Sequence, residues 1–265
     1  MDTFPRQQAR TRRFSLGEPR TLTVSPDGQR VVFLRSAGGS DPVTDLYAIY
    51  SQRNMGSKLQ AEEQQYVTLA QQEQSVVAAS IDATPDPGAV APSVAEKNSE
   101  KAIQTVFALQ KHFAKQYAKH LGTPIGKLRI PEMGLSTIFV EGTDRWSSLS
   151  KGPGRYGNTA FPGSGATVGI AGHRTTFSAP FRHIDSLRKG DTITLAMPYG
   201  TFTYRVRAHK IVKSNDWSII KGVGHEQLVL SACHPLYSAS HRYVIFADLV
   251  SIRLPGSSQT TPVTA

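Results

Sequence analysis

Short stretches of alternating apolar and polar residues dominate the second half of the chain. After Gly122 they run as IGKLRI, STIFVEG, ATVGIAG, DTITLAM, GTFTYRVRAHKIV, EQLVLSAC and RYVIFADLVSIRL, and Gly, Pro, Asn and Asp separate them. A two-residue period of this kind is typical of β-strands that bury one face. At least seven strands with little helix between them predict a mainly β fold, a closed or nearly closed β-barrel over residues 122–254.

The first part of the chain has a different pattern. Residues 1–57 contain TLTVSPDGQRVVFLRS, which predicts a strand, a Pro-Asp-Gly turn and a second strand. This block resembles the opening of the β-propeller domain of dipeptidyl-peptidase-type serine hydrolases. A propeller needs several four-stranded blades, and this block supplies about one. It is therefore interpreted as a propeller-like fragment or a fused segment of foreign origin that ends at Met-Gly-Ser, residues 55–57.

Residues 58–96 are predicted to form a linker. The stretch 58–80 is rich in Gln, Glu and Ala and has only a patchy helical stripe, which favours a solvated helix or disorder over a packed element. Prolines after residue 80 favour an extended chain. An amphipathic helix is predicted over 97–121, and the tail 255–265 is predicted to be disordered.

The composition narrows the classes of function. Thirty Lys and Arg against twenty Asp and Glu give a net charge of +10, which favours association with anionic surfaces. Nucleic-acid binding has little support, because no long basic run is interleaved with aromatic residues and one cysteine cannot form a zinc-finger spacing. The chain has no run of eighteen apolar residues and no apolar stretch near its N-terminus, so as given it is expected to be soluble.

The single cysteine lies in LSACHPLYSASHR, residues 230–242. The strand EQLVLSAC ends at Cys233, HPLYSASH has the composition of a loop, and a new strand begins at Arg242. If the two strands pair antiparallel, Cys233 and Arg242 lie side by side at one rim of the barrel. A third strand, ATVGIAG, stops just before His173, but the pattern does not say whether this strand end belongs to the same rim.

A thiol, an imidazole and a guanidinium at one rim would have the chemistry of a cysteine nucleophile. Arg242 and a protonated His173 would favour the thiolate of Cys233. Arg242 and the backbone N–H of His234 would stabilise an oxyanion, and His173 would protonate a departing amine. The ring of His234 is expected on the opposite face of the strand. The alternatives stay open, because a lone Cys is often a small buried hydrophobe and a single His or Arg is often structural or solvated.

At these residues the chain resembles a known family. NTAFPGSGATVGIAGHR, followed by LVLSACHPLYSASHRYVIFADL, is similar to a sortase, a cysteine transpeptidase of Gram-positive surfaces, and most similar in kind to the actinobacterial class E type. The resemblance covers about residues 122–254. It implies the family's eight-stranded β-barrel, with His173, Cys233 and Arg242 as the catalytic residues.

The resemblance also implies a reaction. Sortases cut a Leu-Pro-x-Thr-Gly-like sorting signal between Thr and Gly, hold the Thr as a thioester, and pass it to an amine of a wall precursor or a pilin. Class E members are associated with Ala in place of Pro. The family implies a cell-surface location and a membrane anchor, where this chain has the propeller-like block instead. No cofactor is expected, and no metal, since the rim strands carry no acidic cluster.

Other site residues carry weaker predictions. Tyr237, in the loop before Arg242, is predicted to line the substrate groove, with simple packing as the alternative. By resemblance, residues 212–224 form one wall of that groove, with Trp217 as its apolar surface or, alternatively, as a core anchor. A catalytically idle binding or assembly module on the same barrel is the main alternative function. An L,D-transpeptidase fits less well, because that family expects a Ser-His-Gly-Cys stretch.

Overall fold

A computed structural model describes the backbone of residues 20–24, 30–36, 44–50, 52–82 and 92–263, except residue 145, and the side chains of residues 60–79 and 99–263, except residues 75 and 145. These ranges contain twelve strands and two long helices.

A small antiparallel sheet comes first in the chain. Its strands are β1 (Arg20–Val24), β2 (Arg30–Ser36) and β3 (Thr44–Tyr50), paired in that order. β1 and β2 form the strand pair that TLTVSPDGQRVVFLRS predicts, while the intervening turn, 25–29, lies outside the described residues. The likeness of this block to a propeller blade stays a prediction.

Eight strands close into a barrel between residues 124 and 253. They are β4 (Pro124–Ile130), β5 (Leu135–Glu141), β6 (Gly154–Arg155), β7 (Val168–Gly172), β8 (Thr192–Met197), β9 (Gly200–Lys213), β10 (Gln227–His234) and β11 (His241–Arg253). Around the barrel the order is β10, β7, β6, β5, β4, β8, β9 and β11, and pairing of β11 with β10 closes the ring. The closed eight-stranded barrel that the pattern and the resemblance predict is confirmed.

All seven strands predicted after Gly122 are present, and β6 is the one of the eight barrel strands that was not predicted. With two residues, β6 is too short to show a period. It matters nevertheless, because β6 pairs parallel to β5 and antiparallel to β7 and so joins the two halves of the ring.

Alternation along the strands fills the barrel with apolar side chains. Ile193 and Leu195 on β8, and Leu228 and Leu230 on β10, have no exposed surface and belong to one continuous core. Each such side chain contributes about 1.5–3 kcal/mol through burial. The two-residue period therefore decides which residues face the core and leaves the strand ends to carry polar side chains at the rims.

Helix α1 (Gln52–Asp82) packs on the barrel, where the sequence predicts a solvated or disordered linker. Tyr66, Leu69 and Val77 are buried, and the Tyr66 hydroxyl donates a hydrogen bond of 3.0 Å to the carbonyl of Ala196. The pattern missed this packing because the apolar residues of α1 are too widely spaced to form a dense stripe. The helix also runs through residue 57, where the sequence predicts a segment boundary.

Helix α2 (Pro92–Tyr117) is the amphipathic helix predicted over 97–121. It begins five residues earlier, since Pro92 suits the first turn of a helix, where its missing N–H would have no partner. Val106 and Phe113 are buried in the barrel core, while Ile103 and Phe107 are exposed.

The C-terminal segment is ordered as far as residue 263, in contrast to the predicted disorder. Strand β12 (Thr261–Pro262) pairs with β11, and Val263 packs against the core. Residues 264–265 lie outside the described part. None of the helices within the described ranges combines the length and apolar character needed to cross a bilayer.

Candidate active site

Three strand ends meet at one rim of the barrel. β7 and β10 are parallel, and their last register pair joins Gly172 to Ala232, so the next residues, His173 and Cys233, are neighbours across the two strands. On the other side of β10, Cys233 is the register partner of Arg242 in antiparallel β11. The structure thus places His173 and Arg242 on either side of Cys233.

This arrangement answers the question that the sequence left open. Parallel strands end at the same edge of a sheet, so the β7 end that carries His173 shares a rim with the β10 end that carries Cys233. The Cys233–Arg242 pair follows from a hairpin of adjacent strands, as expected from the sequence.

The backbone before His173 depends on a glycine. A Cβ atom on Gly172 would lie 2.4 Å from the ring of Phe181, which is fully buried, and the Phe181 N–H donates a hydrogen bond of 3.0 Å to the His173 carbonyl. The ring of Phe177 lies against the imidazole, with 4.9 Å between ring centroids. Buried Phe181 therefore sets where the chain leaves β7, and half-buried Phe177 packs against the His173 ring.

The Arg242 guanidinium is held by the loop between β10 and β11. Its Nη1 donates hydrogen bonds of 3.0 Å to the carbonyls of Ala239 and His241. Arg242 and Cys233 are both half-buried, so a substrate can reach them from the rim. Because the Arg242 guanidinium is already held in place, it needs little reorganisation when a negative charge develops beside the thiol.

Tyr156, directly after β6, lies at the candidate site, although no sequence pattern predicted it there. Its hydroxyl lies 2.7 Å from the Ser231 Oγ on β10, two residues before Cys233. Burial raises the pKa of Tyr156, and the charges of Arg242 and Cys233 act on the same pKa, in the lowering and raising directions respectively. Tyr156 is therefore within electrostatic reach of both groups.

Two tryptophans stand exposed near the rim. Trp217, 60% exposed, packs edge-on against Tyr156 with ring centroids 6.1 Å apart, and Trp146, 62% exposed, packs edge-on against Phe177 at 6.0 Å. Of the two readings for Trp217, the structure agrees with the surface position and not with the core anchor. Ile219, two residues after Trp217, is buried instead.

Tyr237 lies in the loop between β10 and β11 and is 40% exposed. Its hydroxyl accepts hydrogen bonds of 3.3 Å from both terminal nitrogens of Arg182, whose guanidinium also lies over the Tyr237 ring. These contacts join the loop after β7 to the loop after β10, so the two loops that border the rim are connected to each other.

The His234 ring contacts Arg174 and Tyr243, whereas the oxyanion role is predicted for the backbone N–H of His234. Its Nδ1 is 3.1 Å from the Nη1 of Arg174, and the ring packs on Tyr243. Burial, and then the charge of Arg174, lowers the pKa of His234. Among the described residues, no cluster of three or more His, Cys, Asp or Glu side chains has the geometry to hold a metal ion.

The family comparison agrees with this site. The sortase domain matches residues 128–250, which include His173, Cys233 and Arg242. The chain carries a sortase domain. The resemblance seen in the sequence is confirmed at the level of the family.

Curated relatives place the sortase domain among named members of the family. It is 37% identical over 135 residues to sortase D of Bacillus subtilis, a match that covers 49% of this chain and 66% of the relative. It is 28% identical over 148 residues to sortase SrtE1 of Streptomyces coelicolor, covering 50% of this chain and 42% of the relative. The chain thus spans less than two thirds of the length of these relatives.

A solved structure supports the same fold. The crystal structure of sortase E1 from Streptomyces coelicolor with a tripeptide in the active site aligns with this chain at a TM-score of 0.50 and 25% identity. The alignment covers 52% of this chain and 94% of that structure. The sortase domain accordingly occupies about half of this chain.

Proposed function

We propose that the chain is a sortase-type cysteine transpeptidase that cleaves a Leu-Pro-x-Thr-Gly-like or Leu-Ala-x-Thr-Gly-like signal between Thr and Gly and transfers the Thr to an amine. The observation that carries the proposal is the strand register that sets Cys233 between His173 and Arg242 at one rim of a sortase domain. Family membership supplies the reaction class, and the register supplies the geometry for it.

The acylation half-reaction uses all three side chains. The Cys233 thiolate attacks the Thr carbonyl carbon, and the resulting oxyanion is stabilised by Arg242 and by the backbone N–H of His234. The C–N bond then breaks, and protonated His173 gives its proton to the departing Gly amine. The product of this half is a Thr thioester on Cys233.

The deacylation half-reaction runs the same roles in reverse. Neutral His173 takes a proton from the incoming amine as its nitrogen attacks the thioester carbonyl. Collapse of the tetrahedral intermediate forms the new amide and releases the Cys233 thiolate. The proton that His173 gave away in the first half is thereby regained, and the catalyst returns to its starting state.

Aromatic side chains near the rim suit the apolar part of the signal. Trp217 and Tyr156 form an edge-to-face pair on one side, and Tyr237, held by Arg182, stands in the loop after Cys233. Apolar walls with a few polar groups are typical of peptide and ligand grooves. We assign the Leu of the signal and the residue after it to these walls.

The second residue of the signal defines the subtype. The resemblance favours the class E type with Ala at that position, and the relatives named SrtE1 and sortase D do not decide between types by name alone. The partners proposed are a sorting-signal peptide of a secreted surface protein and an amine of a wall precursor or pilin. The proposed location is the cell surface.

The test is a peptide panel with the intact chain. Quenched Leu-Ala-x-Thr-Gly and Leu-Pro-x-Thr-Gly peptides, incubated with triglycine as the amine, are expected to give a Thr-linked product that depends on Cys233. Product formed equally well by Cys233→Ala would contradict the proposal.

The idle-module alternative has its own measurement. In an active site, Cys233 is expected to react rapidly with a methanethiosulfonate reagent, and His173→Gln is expected to slow that labelling because it removes a cation that favours the thiolate. Slow labelling that is independent of His173, together with no peptide cleavage, would favour the idle barrel.

A further inference from the structure

Arg174, the residue after His173, is almost completely buried, with 2% of its surface exposed. A buried guanidinium is costly unless it is paired and hydrogen-bonded. Its ion pair is to the Asp185 carboxylate, with 2.5 Å between Nη2 and Oδ2. Its other polar contacts are His234 Nδ1 at 3.1 Å, the Arg182 carbonyl at 3.4 Å and the Cys233 carbonyl at 3.5 Å.

These contacts cross the rim from one strand end to the other. The last register pair of β7 and β10 is Gly172 with Ala232. Arg174 extends the connection two residues beyond the β7 end, because its guanidinium reaches the backbone of Cys233 and the ring of His234. The side chain therefore connects the segment that carries the imidazole to the segment that carries the thiol.

The contact with His234 also determines the protonation of that ring. A guanidinium can only donate hydrogen bonds, so Nδ1 of His234 must accept, and the ring is neutral with its proton on Nε2. Of the charged groups around the ring, Arg174 and His241 lower its pKa and Asp185 raises it, while burial has the largest effect and lowers it.

We propose that Arg174 is a positioning residue, which fixes the spacing of His173 and Cys233 by clamping the end of β7 to the end of β10. Asp185 holds the guanidinium in the clamp, and the neutral His234 ring is its acceptor on β10. The inference rests on the proposed function. Its physical basis is that a misplacement of reacting groups by about 1 Å can cost about 100-fold in rate.

The first test compares Arg174→Met with Arg188→Met in the peptide assay. Both variants remove one positive charge, but Arg188 is exposed and binds the carbonyls of Asp185 and Leu187, not β10. Arg174→Met is expected to lower kcat by at least about tenfold with little change in KM, because chemistry and not binding is disturbed. Arg188→Met is expected to leave both constants unchanged within about twofold.

The second test needs no substrate. Titration of the His234 ring by NMR, assigned with His234→Asn, is expected to show a pKa below the ordinary 6.5 in the unmodified chain. Arg174→Met is expected to raise that pKa, because the cation is removed while Asp185 remains. Asp185→Asn is expected to lower it further, because the carboxylate favours the charged ring. A role of Arg174 in general stability would not move the pKa in these two opposite directions.

The outcomes separate the clamp from the proposed function. A full kcat in Arg174→Met, or a His234 pKa that does not respond to Arg174→Met, would overturn the clamp. Should Arg174→Met fail to fold, Arg174→Lys takes its place: the ammonium can keep the ion pair with Asp185 but not the fork of contacts, so an intermediate kcat loss supports the clamp and a full kcat overturns it.

If the unmodified chain does not cleave the peptides, the proposed function is refuted. Alkylation of Cys233 then tests the clamp by itself. Iodoacetamide at neutral pH is expected to alkylate Arg174→Met at least about threefold more slowly than the unmodified chain, because the thiolate depends on a correctly placed imidazolium. Equal alkylation rates would overturn the clamp.

Discussion

In the proposed mechanism, the reactivity of the Cys233 thiol depends on two neighbouring residues, Arg242 and His173. Arg242 comes from the adjacent strand and is held by the carbonyls of Ala239 and His241, and His173 lies directly after β7, sixty residues earlier in the chain. A guanidinium offers both charge and a planar fork of donors. For Arg242 these two properties can be separated by experiment.

Replacement of Arg242 with Lys is expected to lower kcat by about 100-fold, since an ammonium keeps the charge but cannot reproduce the fork that faces an oxyanion. The pH dependence of Cys233 alkylation is expected to change little, because the positive charge is retained. Steady-state kinetics and alkylation rates measure the two effects. Arg205→Lys, on the exposed side of β9, is the matched control, and an equal kcat loss there would contradict a specific role.

At the scale of single elements, the site depends on how three strands end. β7 ends at Gly172 against the Phe181 ring, β10 ends beside its antiparallel partner, and β6 delivers Tyr156 to the Ser231 hydroxyl. Small residues such as Ala171 and Gly172 make the sequence ATVGIAG typical of a buried strand. Position 172 requires glycine because the Phe181 ring approaches it closely.

Gly172→Ala is expected to destabilise the chain by about 1–3 kcal/mol and to reduce peptide cleavage, because the new Cβ would lie 2.4 Å from the Phe181 ring. Chemical denaturation measures the first effect and the peptide assay the second. For the denaturation measurement, Gly222→Ala is the matched control, since no atom lies within 4 Å of its Cβ position. Similar losses in both variants would show that the steric contact is not the cause.

At the scale of the whole molecule, a buried carboxylate supports the loop that precedes β7. Glu226 accepts hydrogen bonds from the N–H groups of Gly163 and Gly165, the latter at 2.8 Å, and from the Tyr204 hydroxyl at 2.7 Å. Burial raises the pKa of Glu226 above the ordinary 4.5, although these hydrogen bonds oppose the rise. The folded chain therefore holds a proton on Glu226 at pH values where the unfolded chain has lost it.

We expect the contribution of Glu226 to the free energy of unfolding to decrease as the pH rises, because its pKa is raised in the folded state. Between pH 4.5 and the raised pKa the native state binds more protons, so the contribution of Glu226 is fully present below pH 4.5 and is lost as the pH rises through the folded-state pKa. Denaturation curves measured from pH 4 to pH 8 should show this decline in the unmodified chain relative to Glu226→Gln. Parallel pH profiles for the two proteins would refute the shift.

Helix α1 packs against the barrel, and the sequence pattern did not predict this packing. Its Tyr66 and Leu69 are buried against the barrel, and Lys151 in the loop after β5 pairs with Glu62 at 3.3 Å. Isolated apolar residues in a Gln-rich stretch predict no packed face, because their burial requires a partner surface that only the closed barrel provides. The pairing of β12 with β11 was missed for the same reason.

The sequence by itself determined seven of the eight barrel strands, the barrel and the pairing of Cys233 with Arg242, because a two-residue period and a short hairpin are local properties of the chain. Only the tertiary structure decided that His173 shares their rim, that Tyr156 reaches Ser231, and that Arg174 joins the two strand ends. These contacts depend on β7 lying parallel to β10. The two strands become neighbours in the barrel because closing the ring buries both of them in one core.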